Sequence, residues 1–224
     1  MLSSNRDESP DRGIAGIVQR KGSSGTIVYP QDALAGGTWI AADSGGRVLC
    51  LLNGAFERHE RKLPYRKSRG LLVLELMDEP DIPSSFQEYD LEGIEPFTLI
   101  MAAHHALWEF CWDGARRYLQ QRDARTRHIW SSSTLYGREA RTRRAQWLEE
   151  WFKDSSEYTR EAAMDFHREA GKEDLHDGLI MDRGGIVQTV SISQLVAEKG
   201  NSCFYYFELE NRIPVLRGQI SLGV

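Results

Sequence analysis

The sequence predicts an α+β protein: antiparallel strands with helices packed outside them. Three observations carry that expectation. Most apolar residues fall in short β-rich runs separated by Gly, Pro, Asn and Asp turns. Only a few stretches, chiefly 68–78 and 138–171, space their apolar residues as helices do. Strands come in blocks between the helices and do not alternate with them singly, which favours segregated layers over a parallel α/β sheet.

The elements follow in order. Ile14 to Gln19 alternates weakly, and Thr26 to Tyr29 is β-rich and ends at Pro30. Gly37 to Ala42 and Arg47 to Asn53 flank Asp43-Ser44-Gly45-Gly46, a hairpin turn. Val48 to Leu52 is apolar throughout, as a strand buried on both faces would be. Ser68 is placed to cap a helix carrying Leu71, Leu72, Leu74 and Leu76, which Asp78 to Pro83 stops. Ser84 to Tyr89 adds a helical turn. A second β block follows: Phe97 to His104, Leu107 to Trp112, Arg117 to Leu119 and His128 to Ser131, read as an antiparallel meander. Arg138 to Asp154 reads as a helix with an apolar stripe of Ala140, Ala145, Trp147, Leu148, Trp151 and Phe152. Ser155-Ser156 would cap a further helix that ends near Gly171. Gln188 to Val196 and Ser202 to Leu209 return to strands, joined through Gly200-Asn201.

Composition narrows the function classes. The chain has 224 residues, 41% of them hydrophobic, enough for a sizeable core in one domain or two small ones. A net charge of -5 gives no global pull toward nucleic acid. Three cysteines far apart in sequence suit a reduced interior. The N-terminus is polar, without the apolar segment of a signal peptide, and no apolar run approaches the roughly 20 residues of a bilayer span. A soluble cytoplasmic protein is expected; the oligomeric state is not legible.

Few motifs carry chemistry. His104-His105 are adjacent, so on a strand they point to opposite faces, and His59-Glu60 has no second histidine at helical spacing. With no C-x-x-C either, no metal site is expected. The glycine-rich nucleotide loops and the C-x-x-C-H of covalent haem are absent. Ser131-Ser132-Ser133-Thr134 lacks a nucleophile elbow and reads as turn or cap chemistry, while Cys50 reads as core. One cluster stands out. Asn5-Arg6-Asp7-Glu8 gathers an amide, a guanidinium and two carboxylates almost at the N-terminus. Its plainer reading is a strand end turning into a loop, with an Arg6–Asp7 surface ion pair worth about 0–1 kcal/mol.

In order along the chain, Asn5-Arg6-Asp7-Glu8, Gly36-Gly37-Thr38-Trp39, Leu52-Asn53-Gly54, Ser68-Arg69-Gly70 and Trp130 to Gly137 resemble the NRDE family, also called the transport and Golgi organisation 2 family. The resemblance is most specific in the first half. It implies a single domain over 1–224 with an N-terminal-nucleophile-hydrolase-like fold, a four-layer αββα sandwich of two antiparallel sheets. It also implies C–N amide hydrolysis by the first residue of the mature chain, commonly a cysteine exposed by loss of Met. That residue's own α-amine, with a pKa near 8, acts as base. Carried onto this chain, Arg6 and Asp7 are the positioning pair and Asn53 an oxyanion donor, with Asn5, Glu8, Thr38 and Trp39 around the ligand. Residue 2 is Leu, not Cys, and only Met1-Leu2-Ser3-Ser4 precedes the cluster. The family's first strand is therefore expected to be missing, and this form to be inactive unless an upstream Met-Cys start exists. The alternative is a haem or small-ligand carrier in trafficking, needing no resident cofactor. In it Arg6 would meet a propionate, and Trp39, Phe56, Trp108 and Trp112 would line an apolar pocket.

Overall fold

A computed structural model describes residues 1–103, 106–153, 158–198 and 201–223. Its contacts divide into two compact units, a central one of Ile14–Gly137 and a terminal one of Met1–Gly13 with Arg138–Gly223.

The central unit is a seven-stranded antiparallel meander: β2 (Ile14–Gly22), β3 (Gly25–Asp32), β4 (Ile40–Asp43), β5 (Arg47–Asn53), β6 (Phe97–Ala103), β7 (Ala106–Trp112) and β8 (Arg117–Arg122), neighbours in that order. The two β blocks of the sequence thus join into one sheet, with β5 and β6 paired from Arg47↔Ala103 to Asn53↔Phe97. β5 is central, and Val48, Leu49 and Cys50 are all buried, as its unbroken apolar run implies. One face carries Leu49, Leu99, Phe97 and Phe110 against α1 (Arg69–Asp78) and α2 (Ile82–Glu88), which contribute Leu72, Leu76, Ile82 and Phe86.

Two local interactions fix α1. Ser68 caps its start by accepting from the Gly70 amide. At its end Arg47 donates to the Met77 and Glu79 carbonyls, while its Nε lies 2.7 Å from the buried Asp43 carboxylate. A cation at a helix C-terminus meets the orphan carbonyls and the macrodipole together.

The terminal unit has a four-stranded antiparallel sheet in the order β1 (Leu2–Glu8), β9 (Gln188–Glu198), β10 (Asn201–Glu210) and β11 (Ile213–Leu222). Its helices are α3 (Arg138–Trp151) and α4 (Arg160–Glu169). Ile192 and Phe207 on one sheet face form a small core with Ile180, and Met164 of α4 packs on it.

Several expectations change. Residues 128–131 form no strand. The final strand β11 is additional; Pro214, Arg217 and Gly218 break up its alternation. β3 runs through Pro30 to Asp32, because β4 pairs only with Ile27 and Val28 and asks no ladder amide of position 30. The cap of α4 is Thr159, whose hydroxyl accepts from the Ala162 amide. His104, His105, Asp154, Ser155, Ser156 and Gly200 lie outside the described residues. Among the described residues no helix is long and apolar enough to cross a membrane.

Candidate functional site

Asn5-Arg6-Asp7-Glu8 lies on β1, whose ladder partner is β9. The register runs from Leu2↔Leu195 to Arg6↔Ser191, then slips to Asp7↔Thr189 past a bulge. Alternation places Arg6 on the face of Ser191 and Ser193, and Asn5 on the face of Ile192. The cluster is therefore split between two sides of the sheet.

On the Ile192 side, Asn5 Nδ2 donates to the Leu179 carbonyl at 2.5 Å. Its Oδ1 is sealed from solvent with no partner among the described residues. Asp7 Oδ1 accepts from Thr189 Oγ1 at 2.7 Å, and the same hydroxyl accepts from the Met181 amide and sits 3.3 Å from the Leu179 carbonyl. On the other side Arg6 is buried, 8% exposed, and donates through Nη1 to the Arg12 carbonyl at 2.8 Å. Ser191 lies opposite it, and the Tyr206 phenol is near enough to respond to both. Burial raises the Tyr206 pKa, which the Ser191 hydroxyl and the Arg6 charge partly offset. Glu8 is taken up locally, with Oε2 2.7 Å from Arg12 Nη1 and Oε1 accepting from the Ser9 amide. Arg6 is thus held by the Arg12 carbonyl and Asp7 by the Thr189 hydroxyl.

The other sequence-singled residues sit in the central unit, where their motifs meet one another. Thr38 Oγ1 lies 2.7 Å from the Pro30 carbonyl and 2.8 Å from that of Ile40, so its proton is shared within the backbone. The Thr38 amide donates to the Gly70 carbonyl. A Cβ on Gly37 would come 2.4 Å from the Gly70 carbonyl carbon, so the G-G-T-W and S-R-G segments touch backbone to backbone. The Trp39 carbonyl accepts from the Leu51 amide. Asn53 ends β5, and its carbonyl accepts from Ser132 Oγ at 2.8 Å. Gly54 turns there with φ +82, and a Cβ would meet Ser133 Oγ at 2.3 Å. The Gly54 amide and Arg69 both donate to the Pro96 carbonyl, and Arg69 also pairs with Glu95 at 3.0 Å. His59 Nε2 lies 3.2 Å from that same carboxylate.

The aromatics of the carrier reading do not share one lining. Trp112 is in the α1–α2 core with its Nε1 donating to the Ile94 carbonyl, while Phe56 is half exposed against Tyr118. Burial pushes the Cys111 thiol up to about 11, so it is a core group. Among the described residues no group of three or more metal-binding side chains gathers.

The family model of transport and Golgi organisation 2 matches residues 1–183, most of the chain. The chain belongs to that family. NRDE is another name for it. No curated protein matches the sequence. Solved structures do match in fold. A cysteine-to-alanine mutant of conjugated bile acid hydrolase from Clostridium perfringens has 10% identity and TM-score 0.57, covering 95% of this chain and 86% of that one. An arginine-to-leucine variant of the same enzyme has 9% identity and TM-score 0.55, covering 96% and 92%. Penicillin V acylase from Agrobacterium tumefaciens has 9% identity and TM-score 0.50, covering 96% and 80%. At these identities the likeness shows the fold alone: the α+β class of N-terminal-nucleophile hydrolases, with two antiparallel sheets and helices.

Sequence reasoning missed Thr189, Leu179, Ser191 and Tyr206, all of which surround the β1 cluster. Thr189 and Ser191 sit in a loosely alternating run whose pairing with β1 spans more than 180 residues, and no local pattern announces that contact.

Proposed function

We propose that this family member carries the supporting half of an amide-hydrolase site. The observation behind the reading is β1, where Asn5, Arg6 and Asp7 are each held in fixed geometry by buried or part-buried partners. The guanidinium of Arg6 supplies fixed positive charge on one face of the sheet, while Asn5 and Asp7 on the other face position β1 through Leu179 and Thr189. Asn53 is the proposed oxyanion donor. Glu8 acts through Arg12, and in the central unit Thr38 and Trp39 act through their backbone contacts to Gly70 and Leu51. The neighbours are named for acylase and conjugate-hydrolase activities, which fits an acyl amide as substrate. The nucleophile in this reading is a terminal thiol, a group that none of the β1 side chains supplies.

Variants of the supporting residues, made in a form carrying an upstream Met-Cys strand, test the assignment. Arg6→Lys and Asn5→Ala are expected to lower kcat/KM on acyl amides by roughly 100-fold, as lost positioning and charge stabilisation do. Unchanged kinetics in both would remove Arg6 and Asn5 from the site. The carrier alternative is read separately by absorbance: with haem at micromolar concentration, the account expects no Soret shift on adding this chain.

A further inference from the structure

The terminal unit has a second polar constellation away from β1. The β10–β11 hairpin pairs Glu210 with Ile213, leaving Asn211 and Arg212 as a two-residue turn with φ +50 and +65. Both central residues at positive φ mark a type I′ turn, which favours Gly at its second position. Here that position is Arg. Its Nη2 lies 3.2 Å from the Ile180 carbonyl and 3.4 Å from that of Lys172, both long contacts. Its Nε and Nη1 have no partner among the described residues. Across a cavity of about 190 Å3, Arg168 makes only a 3.5 Å contact with Asp165, and that pair is half exposed. The cavity's remaining lining is Glu169, Ile180 and Ile213, and Glu169 is neutralised by Lys172 at 2.8 Å.

We propose that this cavity binds a small carboxylate, its oxygens held between the Arg168 and Arg212 guanidiniums and a short apolar tail over Ile180 and Ile213. Two guanidiniums with spare donors present the geometry that a carboxylate fits. Both are needed, because the cavity lies at the C-terminal end of α4, where the helix dipole repels an anion. The cost of holding an arginine in the left-handed region is consistent with a residue kept for its side chain.

Thermal melting of the full chain in sodium butyrate, sodium phosphate or sodium chloride at matched ionic strength tests this. Butyrate at tens of millimolar is expected to raise Tm by about 2 °C over chloride, and phosphate by less, since it leaves the isoleucines bare. Arg168→Gln and Arg212→Gly should each abolish the butyrate increment. Arg212→Gly should also melt at or above the parent in chloride, because Gly suits the turn. If Arg212→Gly does not fold, Arg168→Gln decides alone. A butyrate increment no larger than chloride, one that survives in Arg168→Gln, or one matched by phosphate overturns the proposal.

Discussion

A single methylene decides several positions in this molecule. Gly37 and Gly70 let two backbone segments meet, and a Cβ on Gly37 would fall 2.4 Å and 2.6 Å from Gly70 and Leu71 backbone atoms. Backbone cannot swing aside as a flexible side chain would. Gly37→Ala is therefore expected to lose about 2–4 kcal/mol, read by urea unfolding, with the magnitude of an overpacked core. Motif spotting picked out Gly37 and Gly70, but the sequence could not say that they touch. The same holds at β1: residue types suggested polar chemistry, while the assignment of Arg6 to one face and Asn5 to the other required the pairing with β9. Beyond any contact between neighbours in sequence, the fold brings the Arg12 carbonyl to Arg6 and the Thr189 hydroxyl to Asp7. Thiol chemistry is the other residue-scale test. Cys111 is buried with its pKa pushed up to about 11, so under native conditions at pH 8 it should resist alkylation and react only on unfolding, as mass spectrometry would register.

The helices carry two predictions. Thr159 caps α4 through the Ala162 amide, and Thr159→Ala should cost about 1 kcal/mol of stability in a denaturant titration. Farther along α4, His167 Nδ1 is sealed from solvent without a described partner; desolvation first, then the Arg144 charge, lower its pKa from 6.5 to about 4. The folded state therefore refuses a proton that the unfolded chain accepts. This contribution is fully present above pH 6.5 and is lost as pH falls through the window down to about 4, at most ~3 kcal/mol in all. His167→Gln should flatten that limb of the stability–pH curve, and an unaltered slope between those limits would contradict the assignment. Element by element, the sequence was legible where periodicity or capping was strong: the hairpin around Asp43 to Gly46, the buried β5, and α1 with its Ser68 cap. It was illegible where tertiary pairing decides. Pro30 ends the β-rich run yet lies inside β3, and β11 hides behind Pro214 and Gly218.

At the scale of the molecule, the α+β class followed from blocks of strands and amphipathic helices, but the assortment of strands into sheets did not. The two β blocks form one seven-stranded sheet, and the second sheet joins β1 to strands near the other end of the chain. Composition constrains such closure little, since any strand of suitable length and polarity could satisfy the edge of β9. The chain belongs to the transport and Golgi organisation 2 family over residues 1–183 and shares its fold with acylase and bile acid hydrolase structures. The central proposal is that β1 supports an amide hydrolase whose nucleophile is a terminal thiol and not a side chain of β1 itself. The most direct measurement is carboxylate release from a panel of acyl amides by this chain and by a form extended upstream with a Met-Cys strand. The account expects no release above buffer from the first and measurable turnover from the second, abolished when the added Cys is replaced by Ala. Turnover by the chain that carries Leu2, or turnover by the extended form that survives loss of its Cys, would contradict it.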